Sequence, residues 1–170
     1  DHSLELVPNN GKAFYYKGIA LASSGMFDEA VLAFNIALEI DPADIEAAFE
    51  KGLALAAADD HQAATTAFDA VLALDPKRAD AWYRKGRSLA DLGQHADAIR
   101  AFDSALAIDP GFTDALYHRG LSLAETGSYM EAVDALSSVL GKDPKLANGW
   151  VIRGICLASI ERYQDAIQSY

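Results

Sequence analysis

The chain has 170 residues, of which 51% are hydrophobic, and its 25 acidic and 14 basic residues give a formal net charge of −11. This hydrophobic content is sufficient for a continuous core and argues against a disordered chain. The negative charge argues against nucleic acids and anionic membrane surfaces as partners, because both bind basic patches, and the chain has no run of about 18 apolar residues that would predict a transmembrane helix.

Identical residues recur at a fixed step of 34 positions. The period is carried by prolines, glycines and alanines: Pro42, Pro76, Pro110 and Pro144; Gly18, Gly52, Gly86, Gly120 and Gly154; Ala30, Ala64, Ala98, Ala132 and Ala166. A period of this length is typical of a stacked repeat array, in which each unit covers the apolar face of its neighbour. The prolines divide the chain into units at 11–44, 45–78, 79–112 and 113–146, followed by an incomplete unit at 147–170.

The first eight residues resemble the end of a unit. Three of them match residues one period later: Leu4 matches Leu38, Leu6 matches Ile40 and Pro8 matches Pro42. We therefore interpret residues 1–8 as the C-terminal part of a preceding repeat's second helix. Because the last unit stops mid-helix at Tyr170 and no polar cap is visible, we interpret the chain as a fragment of a longer array with apolar ends that can stack on another copy.

Each unit is predicted to form two helices. In the third unit, the apolar residues of 79–92 and of 95–108 fall at helical intervals and do not alternate. Gly86 and Ala98 lie where the two helices would cross, and the absence of bulky side chains there allows close approach. A glycine within a helix costs roughly 1 kcal/mol relative to alanine, so it requires such a packing reason.

Two kinds of signal mark the helix ends. The turn between the helices of a unit contains a residue suited to the left-handed conformation, which is glycine in three units, Asp59 in the second and Glu161 in the fifth. Since glutamate tolerates this conformation poorly, the Glu161 turn is expected to differ. The Asp-Pro pairs that recur from Pro42 to Pro144 are expected to end the second helices, because proline lacks the backbone N–H and forces the preceding residue out of the helical region.

The order of residues in the third unit, with Trp82, Gly86, Ala98, Phe102 and Pro110 at fixed spacing, resembles the 34-residue tetratricopeptide repeat (TPR) pattern. The resemblance covers nearly the whole chain. It implies an all-α fold, a right-handed α-solenoid of antiparallel helix pairs that form a TPR superhelix. The units depart from the family pattern at one position, the residue before each periodic glycine. This residue is always basic: Lys17, Lys51, Lys85, Arg119 and Arg153.

This basic position is predicted to have a structural role, because it is constant within the chain. Its alkyl stem would pack on the helix while the charged head reaches an acidic group on a second helix, for which Asp69 and Asp103 are candidates.

Residue patterns that carry catalytic or metal chemistry are absent from the sequence. It contains no HExxH, P-loop, GxGxxG or CxxC motif. Asp59, Asp60 and His61 are explained by a turn better than by a metal site, since no further ligand is spaced to complete one. Cys156 occupies a small slot near the helix crossing, where a buried, inert thiol is expected. A single cysteine excludes a disulfide framework and favours a reducing, cytoplasmic setting. We therefore expect no enzyme activity, cofactor or metal.

In the TPR family the first helices of the units line a concave groove, and the resemblance implies the same here. The predicted partner-binding residues are Tyr15, Tyr16, Ile19, Phe49, Glu50, Tyr83, Arg84, Arg87, Tyr117, His118, Leu121 and Ile152. Their aromatic stripe could serve packing between neighbouring first helices, or it could offer a ladder of rings to a peptide. Arg84 and Arg87 share a helix face and could hold a carboxylate or phosphate of a partner. The alternative is ion pairing within the chain, with acidic neighbours that include Glu50 and Asp80.

The sequence thus predicts a non-catalytic protein–protein interaction scaffold that binds a partner peptide or helix in the concave groove and can self-associate through its open ends. The alternative is a targeting or regulatory TPR segment of a larger enzyme whose catalytic domain lies outside residues 1–170.

Overall fold

The computed structural model of the chain describes residues 10–170, and within that range the regular secondary structure is entirely α-helical. The interpretation of residues 1–8 falls outside the described residues. In chain order the helices are α1 (Gly11–Ser23), α2 (Phe27–Ile40), α3 (Ile45–Ala57), α4 (His61–Leu74), α5 (Ala79–Asp91), α6 (His95–Ile108), α7 (Thr113–Glu125), α8 (Tyr129–Lys142), α9 (Ala147–Ser159) and α10 (Tyr163–Ser169).

The chain divides into two compact units, of which the first ends at Ser88 and the second runs from Leu89 to Tyr170. In the first unit α1 packs on α2, α2 on α3 and α3 on α4, and α1 also contacts α3. In the second unit α6 packs on α7, α7 on α8, α8 on α9 and α9 on α10, with a further contact between α7 and α9. The fold class predicted from the period, paired helices without strands, is confirmed.

Large buried side chains fill the space that the glycines leave at the helix crossings. A Cβ atom added at Gly52 would lie 2.6 Å from the ring of Phe68, and one at Gly18 would lie 2.5 Å from the ring of Phe34. Both rings are completely buried. Such distances are shorter than real Cβ contacts, so the rings occupy the place of the missing side chains. Gly18 and Gly52 thus show the close approach that the sequence predicts at the equivalent Gly86.

The Asp-Pro pairs end the second helices through a side-chain hydrogen bond. Each aspartate Oδ1 accepts the backbone N–H two residues further on: Asp41 from Ala43 at 3.1 Å, Asp75 from Lys77 at 3.0 Å, Asp109 from Gly111 at 2.8 Å and Asp143 from Lys145 at 3.1 Å. Each of these aspartates directly follows the last residue of a helix. This local bond competes with helix continuation, and the predicted role of Asp-Pro as a helix end is confirmed.

The turns within the helix pairs share one backbone conformation. Gly25, Gly93 and Gly127 have φ angles of 76°, 73° and 78°, and Asp59 and Glu161 have φ angles of 66° and 62°. The expectation that the Glu161 turn differs is wrong. Its backbone is held by hydrogen bonds from the N–H of Glu161 to Ala158 at 3.0 Å and from the next N–H to Leu157 at 2.9 Å, and these bonds close the turn with a side chain present.

Candidate partner-binding surface

The predicted partner-binding residues of the first unit lie on its first helices, and we refer to them together as the α1–α3–α5 face. Its members are Tyr15, Tyr16 and Ile19 on α1, Phe49 and Glu50 on α3, and Tyr83, Arg84 and Arg87 on α5. The other predicted residues belong to the second unit, where Tyr117, His118 and Leu121 lie on α7 and Ile152 lies on α9.

The aromatic residues of the α1–α3–α5 face are buried to very different extents. Phe49 and Tyr83 are each only 7% exposed. The ring of Phe49 packs 5.8 Å from that of Phe68, and the ring of Tyr15 packs 6.2 Å from that of Phe34. Tyr16 is 67% exposed and meets the ring of Tyr15 edge-on at 5.2 Å. The rings thus contribute mainly to packing at Phe49 and Tyr83, whereas Tyr16 presents its ring to solvent.

Arg78 is a functional candidate that the sequence reasoning missed. Its guanidinium carbon lies 4.1 Å from the centre of the Phe49 ring. Nη1 and Nη2 donate to the two carboxylate oxygens of Glu46 at 2.7 and 3.1 Å, and Nε donates to Asp80 at 3.0 Å. Arg78 therefore holds α3 against the start of α5. The sequence does distinguish Arg78 from its equivalents, because the same repeat slot holds Asp44 one period earlier and Phe112 one period later. The repeat scaffold therefore does not require arginine at this slot.

Glu50 and Arg84 occupy the same repeat slot on neighbouring first helices but are not paired. Among residues 10–170, neither forms an ion pair or a side-chain hydrogen bond. The guanidinium of Arg84 lies 5.5 Å from the ring of Tyr83. Burial raises the pKa of the half-buried Glu50 carboxyl, and the charge of Glu46 raises it further, while the charges of Arg78 and Arg84 oppose the shift. The face therefore contains a partly desolvated carboxylate and an exposed guanidinium that are not used in ion pairs or side-chain hydrogen bonds among residues 10–170.

Arg87 differs from its neighbour Arg84. Its Nη1 donates to the hydroxyl of Tyr83 at 3.4 Å, along one side of α5. The two arginines lie three residues apart on α5, and their guanidinium groups could together hold an anion. Arg84 is exposed, whereas Arg87 is half-buried.

In the second unit, the predicted residues on α7 and α9 are half-buried. The ring of His118 stacks on that of Phe102 at 6.2 Å and meets Tyr117 edge-on at 5.2 Å. Burial raises the pKa of the Tyr117 hydroxyl. Ile152 packs against a buried cluster that includes Leu157. These side chains are more involved in packing than Tyr16, Glu50 and Arg84.

Cross-helix contacts are formed by Lys85, Arg119 and Arg153, each of which precedes a glycine. Lys85 Nζ lies 2.6 Å from Asp69 Oδ1, and Arg119 Nε donates to Asp103 Oδ1 at 2.5 Å. Both predicted acidic partners are confirmed. Arg153 reaches two hydroxyl oxygens in place of a carboxylate, at 2.7 Å for Ser137 and 2.6 Å for Ser169. We refer to these contacts as cross-helix ties.

Cys156 is buried, as predicted, and burial raises the pKa of its thiol. Asp59 Oδ1 lies 3.0 Å from Nε2 of His61. In the part of the chain that the structure describes, no group of three His, Cys, Asp or Glu residues is arranged to hold a metal ion. None of the helices between residues 10 and 170 combines the length and apolar character needed to cross a bilayer.

Comparison with known proteins places this architecture in a family. Three family models, each described as Tetratricopeptide repeat, match residues 11–44, 49–111 and 89–151. No curated protein matches the chain significantly.

Several solved structures share the fold. A crystal structure of MamA protein is 21% identical, with a TM-score of 0.90 over 94% of this chain and 87% of that one. YrrB, described as a TPR protein with an unusual peptide-binding site, is 22% identical, with a TM-score of 0.87 over 99% of this chain and 87% of that one. MamA residues 41-end from Desulfovibrio magneticus RS-1 is 24% identical, with a TM-score of 0.88 over 94% and 90%. From the family models and the helix pairs together, the chain belongs to the tetratricopeptide repeat family.

Proposed function

We propose that this chain is a non-catalytic interaction scaffold that binds a peptide or helix of a partner protein on the first helices of its repeats. The proposal includes the division into repeats at 11–44, 45–78, 79–112, 113–146 and 147–170. The observation that carries it is the set of side chains at one repeat slot on α1, α3 and α5, namely Tyr16, Glu50 and Arg84. They are exposed or half-buried, and packing does not account for them. Because aromatic rings and arginine are effective contact residues when desolvated, this surface suits a partner segment.

The peptide-binding site ascribed to YrrB supports a peptide ligand for the shared fold. Self-association is a second mode of the same scaffold. It is supported by the exposed apolar residues of the last helix and the chain end: Tyr163 is 60% exposed, Ile167 67% and Tyr170 70%. Apolar side chains of this size on one short helix are a surface on which another copy could stack.

The test is affinity capture from a lysate of the source organism with the wild-type chain and a Tyr16→Ala, Arg84→Glu variant. Both substitutions are at exposed positions, so the fold should survive, and circular dichroism must show this first. A Lys145→Glu variant, in an exposed loop outside the α1–α3–α5 face, is the control for charge reversal. A partner that is lost only with the Tyr16→Ala, Arg84→Glu variant is the expected result. A partner that binds all three chains equally would refute the proposed surface.

A further inference from the structure

The Glu50 carboxylate is isolated in an otherwise paired neighbourhood. Glu46, one turn earlier on α3, is held by Arg78 at 2.7 Å. Asp80 at the start of α5 is held by the same guanidinium at 3.0 Å. Glu50 is half-buried, and among the described residues it forms neither an ion pair nor a hydrogen bond. A partly desolvated carboxylate without a partner is unfavourable, so the free protein leaves a charge that a bound cation would compensate.

The charge of Arg78 favours the ionised form of Glu50, but its guanidinium is hydrogen-bonded to other carboxylates. Arg78 directs Nη1 and Nη2 to Glu46 and Nε to Asp80, and its plane covers the ring of Phe49. Three of its five N–H groups are thus used by Glu46 and Asp80. Arg84 is close enough for its charge to lower the pKa of Glu50, but it lies against Tyr83 and forms no ion pair within residues 10–170.

Tyr15 and Tyr16 lie on α1, a helix that contacts α3. The ring of Tyr15 is fixed against the buried Phe34, and that of Tyr16 extends from it into solvent. Burial raises the pKa of the Tyr15 hydroxyl, and Glu50 is the first of the charges that raise it further. Tyr16 and Glu50 occupy the same repeat slot on α1 and α3, and these two helices contact each other. A carboxylate and an exposed aromatic ring at equivalent positions of adjacent helices favour lysine or arginine, through a charge-assisted hydrogen bond and cation–π contact.

We propose that the α1–α3–α5 face recognises a basic segment of the partner protein, with one lysine or arginine side chain held by the Glu50 carboxylate against the ring of Tyr16. The inference rests on the proposed function and adds the chemistry of the ligand. The net charge of −11 favours it, since a negative field accelerates encounter with a basic partner. Arg84 occupies the same repeat slot on α5, and its positive charge would favour an acidic or carbonyl group elsewhere in the segment.

The test is selection from a library of displayed random twelve-residue peptides on the wild-type chain and on Glu50→Gln. Asp134→Asn, which neutralises an exposed carboxylate in the middle of α8, is the matched control. We expect peptides selected on the wild type and on Asp134→Asn to share a lysine or arginine at one aligned position. Peptides selected on Glu50→Gln should lack it.

A direct titration then measures the charge pair. Replacing the shared basic residue of a selected peptide by glutamine should weaken its binding to the wild-type chain at least about tenfold, the range of a charge-assisted hydrogen bond. The same replacement should have little effect on binding to Glu50→Gln. Equal losses on both chains, selection of acidic peptides, peptides without a shared basic residue, or no selected peptide at all would each overturn the inference. Loss of the lysate partner on Tyr16→Ala, Arg84→Glu together with any of these outcomes would leave the proposed function standing and reject only the basic ligand.

Discussion

Glu161 adopts a backbone conformation that glycine adopts at lower cost. Its φ of 62° lies in the left-handed region, where a side chain costs roughly 1–2 kcal/mol. We expect Glu161→Gly to stabilise the chain by about 1 kcal/mol, which corresponds to a rise in Tm of about 2–4 °C for a chain of this size. Thermal unfolding followed by circular dichroism measures the change.

The reverse substitution at an equivalent turn is the control for Glu161→Gly. Gly93 has a φ of 73° and nothing near its missing Cβ, so Gly93→Ala should lower Tm through the backbone alone. If Glu161→Gly also lowers Tm, the left-handed conformation is not the source of strain at residue 161.

Glu50 should make the stability of the chain depend on pH. Burial and Glu46 raise its pKa against the opposing charges of Arg78 and Arg84, so its contribution to stability is fully present below the unfolded-state pKa of about 4.3 and is lost as the pH rises through the higher folded-state pKa. We expect Glu50→Gln to raise Tm by at most a few degrees at neutral pH, because solvent screens a half-buried group, and the gain should vanish in acid. Thermal unfolding at several pH values, with Asp134→Asn as control, measures this. A gain that is independent of pH would contradict it.

For the candidate surface, the repeat slot predicts the helix face on which a residue lies, but it does not predict how deeply the side chain is buried. The repeat slot placed Glu50 and Arg84 on one face of neighbouring helices, and the slot of Lys85 led to its contact with Asp69. The depth at which Phe49 lies could not be predicted, because burial depends on neighbours from another helix. Arg78 was missed because its slot has no periodic residue type: its contacts with Glu46 arise from residues 32 apart in sequence.

Helix pairs depend on the glycine at each crossing. In the α3–α4 pair, a Cβ atom on Gly52 would lie 2.6 Å from the fully buried Phe68 ring. We expect Gly52→Ala to lower the free energy of unfolding by about 1–3 kcal/mol, the cost of overpacking, despite the better helix propensity of alanine. Urea or thermal unfolding gives the value.

Substitutions at two other glycines distinguish the steric cost of an added Cβ atom from the gain in helix propensity. Gly141 lies within α8 with nothing near its missing Cβ, so Gly141→Ala should be neutral or stabilising by up to about 1 kcal/mol. In the α7–α8 pair, Leu136 replaces the phenylalanine and a Cβ on Gly120 would lie 3.1 Å away; Gly120→Ala should therefore cost less than Gly52→Ala. Equal losses at residues 52 and 120 would show that the ring is not the cause.

The helices themselves were predictable because the same signals recur in every unit. Asp-Pro pairs ended the second helices as expected, and residues of the left-handed turn ended the first. The error at Glu161 came from weighing the preference of one residue above the hydrogen bonds of the surrounding turn, which bring the N–H of Arg162 to 2.9 Å from Leu157. In a repeat array the shared framework outweighs a single unfavourable residue.

For the molecule as a whole, the exposed apolar residues of α10 and of Tyr170, which follows it, predict association that depends on concentration. We expect the apparent mass by light scattering to rise as the chain is concentrated, because the stacking of Tyr163, Ile167 and Tyr170 on a second copy would bury apolar area. Ile167→Glu should reduce the association, since it places a charge on the exposed side of α10. A mass that stays monomeric over the accessible concentration range would reject self-association.

The cross-helix ties bear on how such a chain can lengthen. Segment 45–78 carries both Lys51 and Asp69. A tandem duplication of this segment in the gene would place a copy of Lys51 sixteen residues after Asp69, at the spacing that now joins Lys85 to Asp69. The copied Lys51 could therefore pair with Asp69 at the new junction without a further mutation. Growth by whole units conserves the contacts between neighbours, whereas an insertion of another length between Asp69 and Lys85 would change the sixteen-residue spacing of that pair.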